Sequence, residues 1–244
     1  MVTVNVGYAV LMILVSVGAS FVQRVSGFGL AIVAMLFLPY FMPSHAAAVV
    51  VSCLLSIGCS AFNSFRFRRH IAFRTLLPML CSAFVMIPVA IRFSASVPER
   101  QMKALLGVAL IGLSIYFLFF SGRIHIRPTV RNGVMIGGMS GTLTGLFSTG
   151  GPPAVLYLMH ATENKTVYFA TIQFYFTLSS TYSVVMRAFN GDVTLSLVLY
   201  ALIGFIGCAA GNILGTKVFD RLDAERVKQV IYVGMIISGI LMLV

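Results

Sequence analysis

Two glycine-rich stretches hold the residues best suited to bind a small ligand. The first is Gln23-Arg24-Val25-Ser26-Gly27-Phe28-Gly29, and the second is Phe147-Ser148-Thr149-Gly150-Gly151-Pro152-Pro153. Glycine permits a sharp turn and a close approach of the backbone to a ligand, and proline is favoured in the first turn of a helix. The second stretch therefore predicts a helix start, where free N–H groups and the helix dipole attract an anion.

The residues predicted to bind substrate come from both stretches and from one later helix. They are Gln23, Arg24, Ser26, Gly27, Gly29, Ser148, Thr149, Gly150, Gly151, Pro152 and Gln173. Hydroxyl and backbone N–H donors hold an anion without a full opposite charge. Arg24 either pairs with the anion or is an interfacial charge that sets the topology. Gln173 either lines the site or hydrogen-bonds a neighbouring helix, and the glycines alternatively serve only close helix packing.

The composition requires these stretches to lie in a membrane. Hydrophobic residues make up 59% of the 244 residues and charged residues only 9%, against about 45–50% and about 25% in soluble domains. This excludes a soluble enzyme, a disordered chain and a nucleic-acid binder. The net charge of +11 instead indicates cytoplasmic loops rich in Lys and Arg. The four cysteines show no metal-binding or disulfide spacing, so neither a metal nor a cofactor is expected.

The elements that carry the stretches are predicted to be helices of two lengths, in an all-α polytopic membrane protein. A bilayer-spanning helix needs about 20 mainly apolar residues. Eight long segments and two short ones, Phe28–Met42 and Pro152–Met159, fit this description. The long segments are Val4–Gln23, His45–Ser64, Phe73–Phe93, Met102–Phe120, Gly133–Phe147, Val167–Val185, Leu195–Leu214 and Val227–Val244.

The order of these segments predicts an internal duplication. Long, short, long, long, long occurs twice, and a constant shift of 122 residues sets Ser26 on Ser148 and Gly29 on Gly151. Such repeats are typical of transporters, whose substrate sites lie between the halves. The predicted boundaries are a first repeat over 1–122, a cytoplasmic linker over 123–132 and a second repeat over 133–244.

Basic residues indicate how the halves are oriented. If all ten segments cross, one side holds thirteen of the 17 basic residues: Arg24, Arg66, Arg68, Arg69, Arg74, Arg123, Arg127, Arg131, Lys165, Lys217, Arg221, Arg226 and Lys228. The other side holds Arg92, Arg100, Lys103 and Arg187. If the short segments are re-entrant, the charges divide about evenly. The positive-inside rule favours the first case, which predicts an inverted repeat with both termini outside.

The same two stretches carry a family resemblance. Gln23 to Gly29, with the apolar run to Pro39, resembles the first motif of the sulfite exporter TauE/SafE family, and Gly145 to Leu158 resembles its second motif. The two-half layout fits the whole chain. The resemblance implies a multi-pass transporter in the plasma membrane, expected to be a bacterial inner membrane. Its expected partners are the lipid bilayer and a small sulfur-containing anion, sulfite or an organosulfonate, which it exports.

Other functions receive less support. All six acidic residues fall in predicted loops: Glu99, Glu163, Asp192, Asp220, Asp223 and Glu225. This argues against a cation transporter or a carboxylate proton relay. An anion channel differs only in mechanism. Gly138-Met139-Ser140-Gly141 matches the serine motif of rhomboid-type intramembrane proteases, but no histidine base follows within a long helix, so we expect no catalytic residue.

Two further glycine patterns predict helix packing. Gly137, Gly141 and Gly145 recur every four residues, as do Gly207, Gly211 and Gly215. This spacing puts the glycines on one face of a helix and lets a neighbouring backbone approach closely. We therefore expect both patterns to be packing faces.

Overall fold

The computed structural model describes residues 6–119, 126–162, 164–218 and 224–243, and among these the structure is helical without strands. One 3-10 turn, Arg68–His70, joins the third and fourth helices. The α-helices are α1 Val6–Ser26, α2 Leu30–Phe41, α3 His45–Arg66, α4 Phe73–Ser96, α5 Glu99–Phe119, α6 Val130–Phe147, α7 Gly151–Ala161, α8 Lys165–Phe189, α9 Leu195–Val218 and α10 Ala224–Leu243. The predicted all-α architecture, with one short helix in each half, is confirmed.

Some sequence predictions fall outside the described residues. These are residues 123–125 of the predicted linker, the segment ends at Val4, Phe120 and Val244, the basic residues Arg123 and Arg221, and the acidic residues Glu163, Asp220 and Asp223. The side chains of Arg226, Lys228 and Glu225 also lie outside the described part.

Four of the described helices are long and apolar enough to cross a bilayer. They contain the spans Gly7–Arg24, His45–Arg66, Phe73–Ser96 and Leu195–Lys217. Two apolar helical stretches, Leu30–Phe41 and Tyr232–Leu243, are shorter. The remaining long helices carry more polar residues; α8, for example, buries Gln173, Arg187 and several hydroxyls. Polar groups on helices that face protein rather than lipid are typical of membrane proteins that handle a polar substrate.

Local capping explains where several helices begin. Ser44, Thr129 and Asn164 each accept a hydrogen bond from a backbone N–H three residues ahead, which caps α3, α6 and α8. Such caps satisfy N–H groups that have no partner within the helix. The Thr129 cap starts α6 at Val130, three residues before the predicted start at Gly133.

The two glycine patterns seat one helix directly on another. A Cβ atom added to Gly141 would lie 2.6 Å from the Cα atom of Ala83, so any side chain would push α6 away from α4. Along α6 and α4, Gly137 contacts Met79 and Gly145 contacts Ile87. Along α9 and α1, Gly207 contacts Ile13 and Gly211 contacts Val17. In both pairs the residue numbers of the two partners rise together. Each pair therefore runs parallel, and the prediction of packing faces is confirmed.

Two other pairs of helices run antiparallel. The end of α3 lies at the start of α8, where the rings of Phe67 and Phe169 are 5.6 Å apart. The start of α3 and the end of α8 meet at the opposite face, where His45 and Arg187 line one cavity. In α5 and α10, Ser114 contacts Tyr232 and Gly107 contacts Gly239. In each pair, residues further along the first helix contact residues nearer the start of the second helix, so the two helices run in opposite directions.

The two short helices fold back against the helices that precede them. The 12 residues of α2 and the 11 of α7 extend about 18 and 17 Å, which is too short for the ~30 Å hydrocarbon core. The ring of Phe41 stacks 6.1 Å from Tyr8 at the start of α1. The hydroxyl of Tyr157 donates to the Thr129 carbonyl before α6, at 3.2 Å. Each short helix thus begins within the bundle and ends at its surface, so the predicted crossing of all ten segments is wrong for α2 and α7.

Candidate functional site

A small inner cavity lies where α2 and α7 begin. Its walls include Gly29 to Ile32 at the start of α2, Ser148 to Gly151 at the start of α7, Ser56 from the middle of α3, and Ser179 and Ser180 from the middle of α8. The two glycine-rich stretches therefore meet at mid-depth in the bundle. The cavity volume is about 20 Å³, which is room for one water molecule.

The first turn depends on two glycines in the left-handed region. Gly27 has a φ of 81° and Gly29 a φ of 106°, and the Gly27 N–H donates to the Gln23 carbonyl at 2.8 Å. These angles, which strain other residues, end α1 and start α2. The N–H groups of the first turn of α2, from Leu30 to Ile32, have no acceptor within their own helix. The side chain of Ser26 lies outside the described part.

The second turn is anchored to α3 through Ser148. Its φ of 61° is positive, which no other non-glycine residue in the described ranges shows. Its N–H donates to the Thr144 carbonyl at 2.9 Å and closes α6. Its hydroxyl oxygen accepts hydrogen bonds from Ser52 Oγ at 3.1 Å and Cys53 Sγ at 3.3 Å. Part of its predicted capacity to bind a ligand is therefore used to hold the turn.

Gly150 is needed for packing on α6. A Cβ atom there would collide with Ser140 and Thr144. The Ser140 hydroxyl donates to the Gly150 carbonyl and accepts from the Tyr175 hydroxyl at 2.7 Å. Within the described part of the chain, no histidine is among the hydrogen-bond partners of Ser140. Its hydroxyl thus fastens the turn to α6 and α8.

The start of α7 offers fewer amide donors than the sequence suggests. Pro152 and Pro153 occupy its first turn and have no N–H, so the free donors are the amides of Gly150 and Gly151. Pro152 is buried without lining the inner cavity. A Cβ atom on Gly151 would lie 3.4 Å from the ring of Phe176, which lines that cavity. Gly151 therefore borders the cavity directly.

Thr149 places an unused hydroxyl at the inner cavity. The residue is 1% exposed, and its Oγ1 atom has no hydrogen-bond partner among the described residues. A buried polar group without a partner costs about 1–3 kcal/mol. Such an atom next to a cavity is suited to a bound polar ligand.

A much larger cavity opens on one face of the bundle, where α1, α3 and α9 end and α8 begins. We call this the Arg66 face. The cavity has a volume of about 470 Å³, and Gln23, Arg24, Arg66 and Gln173 are among its lining residues. Gln23 also lines the inner cavity, and its Nε2 atom donates to Ser60 Oγ at 3.4 Å. Gln23 therefore separates the open cavity from the glycine-rich turns.

Two predicted binding residues occupy different depths of the large cavity. Arg24 is exposed, and its Nε atom donates to Thr216 Oγ1 at 3.0 Å, which puts the guanidinium at the mouth. Gln173 is only 1% exposed, and its Oε1 atom has no hydrogen-bond partner among the described residues. The amide of Gln173 is thus a deep polar group available to a ligand.

The predicted set thus falls around two adjoining cavities. The inner cavity is lined by Gln23, Gly29, Ser148, Thr149, Gly150 and Gly151. The large cavity is lined by Gln23, Arg24 and Gln173. Gly27 and Pro152 support the turns and line neither of these two cavities.

The sequence analysis missed a buried polar cluster on the other side of the bundle. Arg187 is 1% exposed; its Nη2 atom donates to the Gly145 carbonyl at 2.7 Å, and its Nη1 atom lies 3.3 Å from Asp192 Oδ2. The Nε2 atom of His45 lies 2.8 Å from the Leu146 carbonyl. Both side chains therefore hold the end of α6, immediately before the second glycine-rich turn.

Arg187 lies at the face opposite the thirteen basic residues, as predicted, but it belongs to α8 and not to a loop. The predicted segment ended at Val185, whereas α8 continues to Phe189 and carries Arg187 into the protein. The sequence does contain a signal, because no Gly or Pro interrupts the chain between Val185 and Asn190. A helix is expected to continue through such a stretch.

Comparison with known proteins places the whole bundle in one family. The chain gives no significant match to a curated protein or to a solved structure. The family model described as sulfite exporter TauE/SafE matches residues 12–242. That match covers both glycine-rich turns and nearly every helix, so this multi-pass membrane protein belongs to the sulfite exporter TauE/SafE family.

Proposed function

We propose that the chain is a carrier that exports small sulfur-containing anions, sulfite or an organosulfonate, across the plasma membrane of a bacterium. The observation that carries the proposal is the meeting of two glycine-rich helix starts at one buried cavity, beside a large cavity that opens on the Arg66 face. A substrate site at mid-depth between short helices is the arrangement expected of a secondary transporter.

Helix directions support an inverted relation between the halves. If α1 to α5 correspond to α6 to α10, then α3 corresponds to α8 and α5 to α10. In a parallel repeat both pairs would run in the same direction, whereas each is antiparallel. In the same correspondence α1 matches α6 and α4 matches α9, so the pair of α1 with α9 is equivalent to the pair of α6 with α4. Both pairs run parallel. We infer repeats close to 1–122 and 133–244 with a linker near 123–132.

Charge assigns the faces in this proposal. The Arg66 face carries basic residues of the described loops and helix ends, namely Arg66, Arg68, Arg69, Arg74, Arg127, Arg131, Lys165 and Lys217. By the positive-inside rule this face is cytoplasmic. The 470 Å³ cavity then opens to the cytoplasm, which is the state from which an exporter loads its substrate.

The donors around the two cavities favour an anion. No carboxylate side chain is among the described residues that line either one. The available donors are the amides of Gly150 and Gly151 and the Thr149 hydroxyl, and Arg24 and Arg66 bring positive charge to the large cavity. A charge-assisted hydrogen bond contributes about 1.5–3 kcal/mol, so two or three offset much of the dehydration of an anion and still permit its release.

Counterflow in proteoliposomes tests this function. Unlabelled sulfite inside the vesicles should accelerate entry of radiolabelled sulfite, because a carrier exchanges one anion for another. Sulfoacetate and thiosulfate should compete, whereas acetate should not. Ion current without trans-acceleration would indicate the alternative function, an anion channel. Absence of both flux and current for every sulfur-containing anion would exclude the proposed substrates.

A further inference from the structure

A third cavity lies on the face opposite the large one, where α4 and α8 end and α3 and α5 begin. We call this the Arg187 face. The cavity has a volume of about 140 Å³, and its polar lining residues include Ser44, His45, Glu99, Arg187 and Asp192. This is several times the ~10–15 Å³ that a cavity needs to hold one water molecule by the same measure. The volume is therefore sufficient for an anion of a few atoms.

Two buried nitrogen atoms of this cluster have no partner. Arg187 Nε and His45 Nδ1 are both buried without a hydrogen-bond partner among the described residues, and the two residues are 1% and 3% exposed. A buried guanidinium N–H without a hydrogen-bond acceptor lowers the stability of the folded protein, because the group has lost its contact with water. Both residues line the same cavity, so a single ligand there can reach both.

We propose that this cavity is a second binding site for the transported anion, held by Arg187 and His45, and that Asp192 occupies the guanidinium when the anion is absent. The proposal rests on the anion transport proposed above. The guanidinium matches oxyanions in shape and charge. The carboxylate of Asp192, 3.3 Å away and 28% exposed, is a weakly held internal substitute for such an anion.

The same two residues also keep the Arg187 face closed. Arg187 and His45 bind the carbonyls of Gly145 and Leu146 at the end of α6. An anion at Arg187 competes for the guanidinium that these contacts use, and so loosens the end of α6 and the turn that follows it. Arrival of substrate at this site thereby favours opening of the face through which it leaves.

These contacts lie on the face that carries the smaller of the two open cavities. The Arg66 face has the 470 Å³ cavity, and the Arg187 face, where Arg187 and His45 hold the end of α6, has the 140 Å³ cavity.

Two carboxylates, Glu99 and Asp192, are among the described residues that line this cavity. Glu99 lines it, but its Oε1 atom lies 3.3 Å from Lys103 Nζ in an ion pair one helical turn along α5. Asp192 is therefore the carboxylate in direct contact with Arg187. This difference provides a matched pair of substitutions, Asp192→Asn and Glu99→Gln, each of which removes one negative charge from the same cavity.

Isothermal titration of the full-length protein in detergent with sulfite, in oxygen-free buffer, tests the second site. The inner site is blocked first by Gly151→Val. We expect this variant to keep one sulfite-binding event, which Arg187→Gln then weakens at least tenfold. In the same background Asp192→Asn should tighten sulfite binding at least threefold, because it removes the competitor, and Glu99→Gln should tighten it less.

The outcomes separate this site from the proposed function. If folded Gly151→Val binds no sulfite while the wild type does, there is no second site, and anion binding at the turns still stands. If Asp192→Asn lowers the unfolding temperature without tightening sulfite binding, Asp192 is structural and the competition is overturned. If the wild type binds no sulfite, sulfoacetate or thiosulfate, the proposed function fails and this inference fails with it. Arg187→Lys, which keeps the charge, should retain part of the affinity that Arg187→Gln loses.

Discussion

Gly29 and Gly151 lie 122 residues apart in the chain and line the same inner cavity from opposite halves. Each stands at the start of a short helix, Gly29 as the N-terminal cap of α2 and Gly151 as the first residue of α7. Their meeting explains why two similar stretches recur in one sequence. A single helix start offers few free amides, whereas two facing starts can donate to one ligand from both sides.

Substitutions at Gly151 and Gly150 should have different effects. Gly151→Ala adds a methyl group toward Phe176 and the inner cavity with a 3.4 Å contact, so we expect the fold to survive and sulfite affinity to fall about tenfold. Gly150→Ala forces a Cβ atom into Ser140 and Thr144, so it should lower the unfolding temperature even without ligand. Thermal unfolding and sulfite titration of both variants measure the difference. Equal affinity in Gly151→Ala and the wild type would remove this glycine from the binding site.

Thr149→Val should separate binding from stability. Valine has nearly the same shape, and the Thr149 hydroxyl has no partner among the described residues, so its loss should leave the unfolding temperature unchanged or raise it. If that hydroxyl donates to the anion, affinity should fall about tenfold, equivalent to ~1.4 kcal/mol. Binding isotherms and unfolding curves for the same preparations provide both numbers.

Thr171→Val is the matched control for that substitution. Thr171 Oγ1 accepts a hydrogen bond from the Ala72 N–H at 3.0 Å and donates to the Val167 carbonyl at 2.7 Å. Its removal leaves the Ala72 donor unpaired, so Thr171→Val should destabilise the protein by about 1 kcal/mol without changing anion affinity. The reverse pattern in the two threonine variants would contradict the assigned roles.

Much of the fold follows from local signals in the sequence. Ser44 and Asn164 cap helices at the positions where the apolar segments begin, and Pro152 marks the start of α7. The spacing of Gly141 and its neighbours predicts a packing face because every fourth residue falls on one side of a helix. The partner of that face, Ala83 on α4, could not be predicted, because no local pattern states which helix approaches.

The candidate site shows the same division between local and long-range information. The glycines of the first turn can be recognised because their positive φ angles strain other residues, whereas Gly150 is required by its close contact with Ser140 and Thr144. The role of Ser148 differs from the simple expectation because Ser52 and Cys53 reach its hydroxyl from α3, more than ninety residues earlier in the chain. In the sequence Arg187 resembles an ordinary loop charge, because only the folded structure brings the Gly145 carbonyl at the end of α6 to its guanidinium.

Gln173→Glu should abolish substrate binding through charge alone. The side chain is 1% exposed and lines the large cavity, so a carboxylate there repels an anion in a poorly hydrated position. Gln173→Met keeps the size without charge and should weaken sulfite binding much less. Counterflow rates of the two variants, normalised to the amount of reconstituted protein, provide the comparison. Binding of sulfite to Gln173→Glu with wild-type affinity would place the substrate elsewhere.

Sided labelling of two loops tests the inverted repeat. His70 lies between α3 and α4, and Asn190 follows α8 in the corresponding loop of the second half; both are exposed. In an inverted repeat corresponding loops emerge on opposite faces, whereas in a parallel repeat they emerge on the same face. We therefore expect a membrane-impermeant maleimide to label Asn190→Cys in intact cells and to label His70→Cys only after the membrane is opened.

The background for this labelling must lack the native cysteines Cys53, Cys59, Cys81 and Cys208. Cys59 lines the 470 Å³ cavity, so it would otherwise react once the membrane is opened and mimic a cytoplasmic signal. Retained counterflow in the cysteine-free protein shows that the helices keep their arrangement. Labelling of His70→Cys and Asn190→Cys from the same side would contradict the inverted repeat, because α3 and α8 would then have to enter the membrane in the same direction.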